Sequence, residues 1–253
     1  MADPRIEIAA FNNAFWCDAV CDAQGSPGEF RDDLWLNRHV TPRFYPNMVT
    51  LTPGAQSAHQ LEQVQALLHA GLTGEWTVKD SFASLDLAPL GFEVAFEATW
   101  LWRPPMQPGL LVEPDAPVEA LRWRVIQSPE ELQRWEAAWS GETGGESLPR
   151  IFLPDLLEQP GIVFVAAYQA LAIVAGVVAS RSDDVVGISN VFVPPGREDL
   201  CWKGCIHAVE QLFPGLAMVD YEHGEDLLRA RAQGFEAIGP LRVWTHTGRT
   251  SRT

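Results

Sequence analysis

The sequence predicts an α+β protein: a mixed, mainly antiparallel sheet flanked by helices, built as two related halves. Three observations predict it. Residues 218–244, MVDYEHGEDLLRARAQGFEAIGPLRVW, have the form strand, helix, glycine stop, strand. Residues 218–221 are a short apolar run, and residues 225–233 are helix formers ending at Gly234, where a left-handed residue commonly closes a helix. Phe235 anchors the turn and residues 237–244 return as a strand. Residues 76–102, WTVKDSFASLDLAPLGFEVAFEATWLW, repeat that order, with Gly91-Phe92-Glu93 matching Gly234-Phe235-Glu236 and Trp100 falling near the place of Trp244. The offset is 143 residues from Gly91 to Gly234 and 144 from Gly71 to Gly215, as in two related half-chains. Three β-rich runs, residues 162–168, 172–181 and 185–193, follow one another with short breaks, as in a meander.

In chain order, Asp3-Pro4 is a helix start, and Ile6, Ala10, Phe11, Ala14, Phe15 and Val20 form a face that closes near Gly25. Residues 25–47 are loop-rich, with Pro27, Gly28, Pro42 and Pro46. Residues 48–51 predict a strand, and Ser57 caps a helix over 58–69 along Leu61, Val64, Leu67 and Leu68. Pro104, Pro105, Pro108, Pro114 and Pro117 mark a linker. It divides the chain into domains of about 1–113 and 114–253. Beyond it, residues 121–126 alternate as a strand, and Ser128-Pro129-Glu130-Glu131 opens a helix as a capping box with proline in its first turn. A turn covers 141–145, and a second helix runs from the 194–199 loop to Phe213, where Pro214-Gly215 stops it.

At 253 residues the chain can bury one large core or two modest ones. The formal net charge of −15 argues against nucleic acid, which calls for a basic face, and against anionic membrane surfaces. It favours a cationic acceptor such as an amine. The first residues lack a basic region and no apolar run approaches roughly 18 residues, so a cytoplasmic protein is expected. Phosphate-binding P-loop, dinucleotide fingerprint and nucleophile elbow are all missing from the sequence.

The element order from residue 121 onward, with the Gly234-Phe235 closure, resembles the GCN5-related N-acetyltransferase (GNAT) superfamily over about residues 121–246. The resemblance implies the acyl-CoA N-acyltransferase fold, with the N-terminal half a partial copy. It implies acetyl-CoA as co-substrate and an amine on a small molecule or peptide as acceptor, with a homodimer left open. In that family the pyrophosphate rests on a loop of the form Arg/Gln-x-x-Gly-x-Gly/Ala between the fourth strand and a helix, facing backbone N–H groups and the positive helix end. Here the strand leads into PPGREDLCWKG, and only Gly196, Arg197 and Gly204 match, at altered spacing. By carry-over, Val191, Phe192 and Val193 offer strand contacts to the cofactor, while Gly196, Arg197, Trp202 and Lys203 lie near its phosphates. Glu198 and Asp199 stand where the helix begins and would compete with a pyrophosphate. The tyrosine that many members place four residues before the Gly-Phe pair is Ala230 here. Tyr221 and Glu222 are the nearest replacements as acid and base; alternatively Glu222 begins a loop and Asp220, Glu225 and Asp226 solvate a helix start.

Three departures support a second expectation, a catalytically degenerate acetyltransferase-like module for ligand or protein binding: the altered loop, Ala230, and the acidic helix start. Ser189 and Asn190 could face a substrate or be ordinary sheet residues. Cys17/Cys21 and Cys201/Cys205 are each spaced four apart on a predicted helix, which suits either zinc, if the helices met, or a core. The expected metal content is none. Lys79, Asp80 and Asp86 fit a surface ion pair or a small polar pocket.

Overall fold

The structure, a computed structural model, describes residues 2–54, 57–71, 74–105, 121–141 and 149–247. Most of the proline-rich linker, the 113/114 boundary and most of the 141–145 turn lie outside the described residues, as does Leu72. In chain order the first elements are α1 (Arg5–Ala23), β1 (Glu29–Phe30), β2 (Leu34–Leu36), β3 (Met48–Thr50), α2 (Ser57–His69), β4 (Glu75–Asp80) and β5 (Glu93–Arg103). Then follow β6 (Arg122–Val125), α3 (Pro129–Ser140), β7 (Ile162–Gln169), β8 (Ala172–Ser182), β9 (Val185–Phe192), α4 (Glu198–Leu212), β10 (Ala217–Glu222), α5 (Gly224–Ala232) and β11 (Glu236–Thr247). The chain forms two compact units. One holds Met1–Leu101, Tyr221–Gly224 and Ala237–Thr253; the other holds Trp102–Asp220 and Glu225–Glu236.

In the first unit the strand order is β1-β2-β3-β4-β11-β5. β2 runs antiparallel to β3, β3 parallel to β4, and β11 antiparallel to β4 from Arg242↔Asp80 to Thr247↔Glu75. Alternation sorts side chains to two covered faces. Leu34, Leu36, Met48, Trp76, Val78 and Trp244 pack with Val64 and Leu67 of α2. The opposite face meets α1, where the Trp35 indole donates to Asp18 Oδ1 at 2.9 Å. The loop-rich segment therefore contains β1 and β2, two strands that its prolines and glycines conceal.

In the second unit the order is β10-β9-β8-β7-β6. β6, β7, β8 and β9 are antiparallel, and β9 runs parallel to β10. α3 begins at the expected Ser128, whose hydroxyl accepts the Glu131 N–H at 3.2 Å. Its Trp135 is fully buried among Phe152, Phe164 and Phe192 and donates to the Val165 carbonyl at 2.9 Å. α4 covers the other face, with Cys201 against Ala167 and Ala175.

Both Gly-Phe pairs close in one hydrogen-bond pattern. Phe235 N–H reaches Ala230 O at 3.3 Å and Gly234 N–H reaches Arg231 O at 3.0 Å. Phe92 N–H reaches Leu87 O at 3.3 Å and Gly91 N–H reaches Ala88 O at 3.0 Å. These are Schellman closures, and Gly91 (φ 87°) and Gly234 (φ 88°) take the left-handed conformation that glycine allows. The segments before them differ. The sequence predicts a helix in both, yet the first copy has only a 3-10 turn at Ala88–Leu90. The Asp80 carboxylate accepts the N–H groups of Leu85 and Phe82, which ties residues 80–85 into a turn, and Pro89 cannot extend a helix backwards. Among the described residues, no helix is long and apolar enough to cross a membrane.

Candidate functional site

β9 and β10 pair only over Val185↔Ala217, Val186↔Met218 and Gly187↔Val219. β9 nevertheless continues to Phe192 and β10 to Glu222. Burial falls soon after the pairing stops: Val185 to Ile188 are buried while Ser189 to Phe192 are half-buried. On β10, Asp220 is buried and Tyr221 and Glu222 are half-buried. β9 also bulges there. Its register to β8 goes from Val178↔Ser189 to Gly176↔Phe192, so β9 carries one extra residue. Asn190 absorbs the bulge at φ 53°, a left-handed conformation that asparagine tolerates better than most residues. The second half of β9 thus has backbone N–H and C=O groups released from the β10 ladder.

Val191 is half-buried in this stretch. Phe192 stands edge-on to Trp135 at 5.2 Å, and Val193 packs against the cluster of Cys201, Ala167 and Ala175. Pro194-Pro195-Gly196-Arg197 is a tight turn closed by Arg197 N–H to Pro194 O at 3.2 Å. Proline at its second position and Gly196 (φ 80°) at its third are the residues a type II turn requires. α4 starts immediately after, with Arg197 as its N-cap and no side-chain cap. The nearby backbone N–H groups of Glu198 and Gly196 hold the Glu198 carboxyl below the ordinary glutamate range. A negative charge of the chain itself therefore stands at the helix start, where an anion would be received. Arg197 is half-buried and Lys203 exposed, both with charge to offer. Trp202 is turned inward, only 2% exposed.

Tyr221 sits at the end of β10, edge-on to Trp100 at 5.4 Å. The Lys79 ammonium donates to the Tyr221 hydroxyl at 3.1 Å and lies 4.3 Å from its ring centroid. It also donates to Asn13 Oδ1 of α1 at 2.6 Å, and the Cys17 thiol approaches the same oxygen at 3.8 Å. Burial pulls the Lys79 ammonium down, yet attraction to Tyr221 and Cys17 and the Tyr221 hydrogen bond hold it above the usual lysine range. This corrects the expected surface pair of Lys79 and Asp80. The two are buried and, as neighbours on a strand, project to opposite covered faces. The signal available in the sequence was a lysine inside the strand-forming run WTVK; Asn13, inside an apolar helix face, gave none.

Ala230 is fully buried, and its carbonyl serves the Phe235 closure. The four cysteines are free and buried. Among the described residues no three His, Cys, Asp or Glu side chains gather to hold a metal ion. Burial pushes the Cys21 thiol up to about 12, and raises Cys205 further in the same direction.

No protein-family model matches the chain, and no curated protein does so significantly. Solved structures do. A GCN5-related N-acetyltransferase from Kribbella flavida superposes with a TM-score of 0.61 at 17% identity, covering 95% of each chain. A tandem GNAT protein from the clavulanic acid biosynthesis pathway has a TM-score of 0.52 at 13% identity, covering 84% of this chain and 77% of that one. A GCN5-related N-acetyltransferase from Sphaerobacter thermophilus has a TM-score of 0.50 at 13% identity, covering 94% and 92%. At these identities the likeness is one of fold. The chain has the acyl-CoA N-acyltransferase fold of the GCN5-related N-acetyltransferases.

Proposed function

We propose that the protein transfers an acyl group, most simply acetyl, from acetyl-CoA to an amine of a small molecule or peptide. The observation that carries this reading is the early end of the parallel β9/β10 ladder, together with the β9 bulge at Asn190. A thioester with its pantetheine arm needs backbone partners in an extended groove, and the second half of β9 has them to give. In this reading Val191, Phe192 and Val193 line the arm. Gly196, Arg197 and Lys203 meet the pyrophosphate, with Trp202 as the buried support of that helix turn. The Glu198 carboxylate must turn away from the helix start for the phosphates to enter.

The acceptor nitrogen attacks the thioester carbonyl carbon, the C–S bond breaks, and three proton transfers follow: two off the ammonium nitrogen and one onto sulfur. Glu222 takes the proton that the ammonium acceptor loses before attack, Tyr221 gives one to the departing sulfur, and the nitrogen's second proton passes to solvent as the tetrahedral intermediate collapses. The same reading makes residues 1–113 a partial copy and 114–253 a fuller one. The paired Schellman closures support it, as does the recurrence of antiparallel then parallel pairing in β2-β3-β4 and β8-β9-β10.

The test is calorimetric titration of acetyl-CoA into the parent protein and into the double variant Arg197→Ala/Lys203→Ala. Loss of charge-assisted hydrogen bonds should weaken binding by on the order of 1–3 kcal/mol. Equal affinity in the two proteins would place the ligand elsewhere.

A further inference from the structure

We propose that Lys79 is a positioning residue for Tyr221, fixing its hydroxyl as a proton donor and stabilising the phenolate that remains. The proposal rests on the acetyl-transfer reading and adds to it a group from the other half of the chain, 142 residues away in sequence.

The geometry assigns the donor and acceptor without ambiguity. An ammonium has only protons to give, so at 3.1 Å the Tyr221 oxygen accepts from Lys79 Nζ. The phenolic proton must then point to something other than Lys79. Once Tyr221 releases that proton to a leaving thiolate, its oxygen is negative and already in contact with a cation. The contact is worth most in this setting, because Lys79 is 5% exposed and little water screens it. Asn13 Oδ1 holds the ammonium from the other side at 2.6 Å, and Trp100 holds the ring edge-on at 5.4 Å. Among the described residues, no carboxylate lies within ion-pair distance of Lys79. Its other neighbours are the Asn13 amide and, through Asn13, the Cys17 thiol. A buried cation with polar but uncharged partners is costly to fold, and a charge that develops on Tyr221 during turnover gives it a compensating partner. Proton and electron accounting closes. Sulfur leaves with the C–S electron pair and takes the Tyr221 proton, the nitrogen's second proton is lost to solvent, and the phenolate is reprotonated from solvent before the next cycle.

The test measures thiol release from acetyl-CoA with ethylamine at fixed high concentration, in the parent, Lys79→Met, Lys79→Arg, Tyr221→Phe and the Lys79→Met/Tyr221→Phe pair. Removing a general acid costs roughly 100-fold or more in kcat. Tyr221→Phe should show that loss, and Lys79→Met at least a tenfold loss, both with KM for acetyl-CoA within about twofold of the parent. Lys79→Arg should recover part of the Lys79→Met loss. In the Tyr221→Phe background, Lys79→Met should cost nothing further, since its effect passes through the hydroxyl. Melting curves identify any variant that fails to fold, and Lys79→Arg then stands in as the folded comparison. An active parent whose Lys79→Met variant keeps its kcat, or loses the same factor with and without the Tyr221 hydroxyl, overturns the proposal alone. A parent that neither binds acetyl-CoA nor releases thiol overturns the acetyl-transfer reading and the proposal with it.

Discussion

Gly176→Ala is the substitution that couples packing to the candidate site most tightly. Gly176 lies on β8 opposite Phe192, beside the β9 bulge. A Cβ there would stand 2.5 Å from Trp135 Nε1, 2.6 Å from Phe192 Cε1 and 2.8 Å from the Val165 carbonyl oxygen. None of the three can step aside cheaply. The Trp135 indole is pinned by its 2.9 Å hydrogen bond to that same carbonyl, and the carbonyl belongs to the β7 backbone. One added methyl therefore forces a strand shift, at the upper end of overpacking costs, about 2–3 kcal/mol. For a chain of this size that lowers Tm by roughly 5–10 °C. The control is Gly141→Ala, at the end of α3. Nothing lies within 4 Å of its Cβ, but φ is 68°. That change costs about 1 kcal/mol of left-handed strain without disturbing the core. Urea unfolding followed by circular dichroism, with the slope held equal between variants, measures both. Gly176→Ala should also lose acetyl-CoA affinity by more than Gly141→Ala does, since it pushes on Phe192. A Gly176→Ala protein within about 0.5 kcal/mol of the parent would refute the packing argument, because it would mean that β8 has room the contacts deny.

Three further outcomes follow from the structure. Glu198→Ala should tighten acetyl-CoA binding severalfold in calorimetry, since it removes a negative charge from the start of α4, where the pyrophosphate is proposed to sit. Ser128→Ala should cost about 1 kcal/mol in urea unfolding, because it removes the acceptor of the Glu131 N–H. Stability should fall as pH rises above about 9 and continue falling towards 12. The Cys21 thiol is raised in the folded chain, so its contribution is fully present below the ordinary thiol range and is lost as the unfolded chain ionises first. The slope for one such group is about 1.4 kcal/mol per pH unit, and Cys21→Ala should remove it from that limb.

The local signals were the legible ones. Ser128-Pro129-Glu130-Glu131 specifies its own helix start through side-chain to backbone bonds, so α3 is where the sequence places it. The β7–β9 meander is announced by three β-rich runs with short breaks, because antiparallel neighbours in sequence are also neighbours in space. The two Gly-Phe pairs were legible for the same reason, each closure spanning six residues. What stayed hidden is non-local. β11 pairs with β4 across more than half the chain, and no periodicity in either strand encodes that choice. β2 is three buried residues inside a proline- and glycine-rich stretch, below the length at which alternation shows. The missing helix of the first copy turns on one carboxylate, Asp80, which competes for the backbone N–H groups. At the candidate site, the sequence proposes Tyr221 from its place at a strand end, and the structure puts it at the end of β10. For its partner Lys79 the sequence leaves a surface ion pair and a small polar pocket both open, because sequence carries no burial for a lone lysine, and only the fold brings it to the Tyr221 hydroxyl.

The central claim is that β9 and the start of α4 receive acetyl-CoA, and titration calorimetry of the parent protein with acetyl-CoA tests it most directly. The account predicts saturable heat for one ligand per chain, accompanied by a rise in Tm that grows with ligand concentration. Absence of both heat and thermal shift at millimolar acetyl-CoA would contradict it.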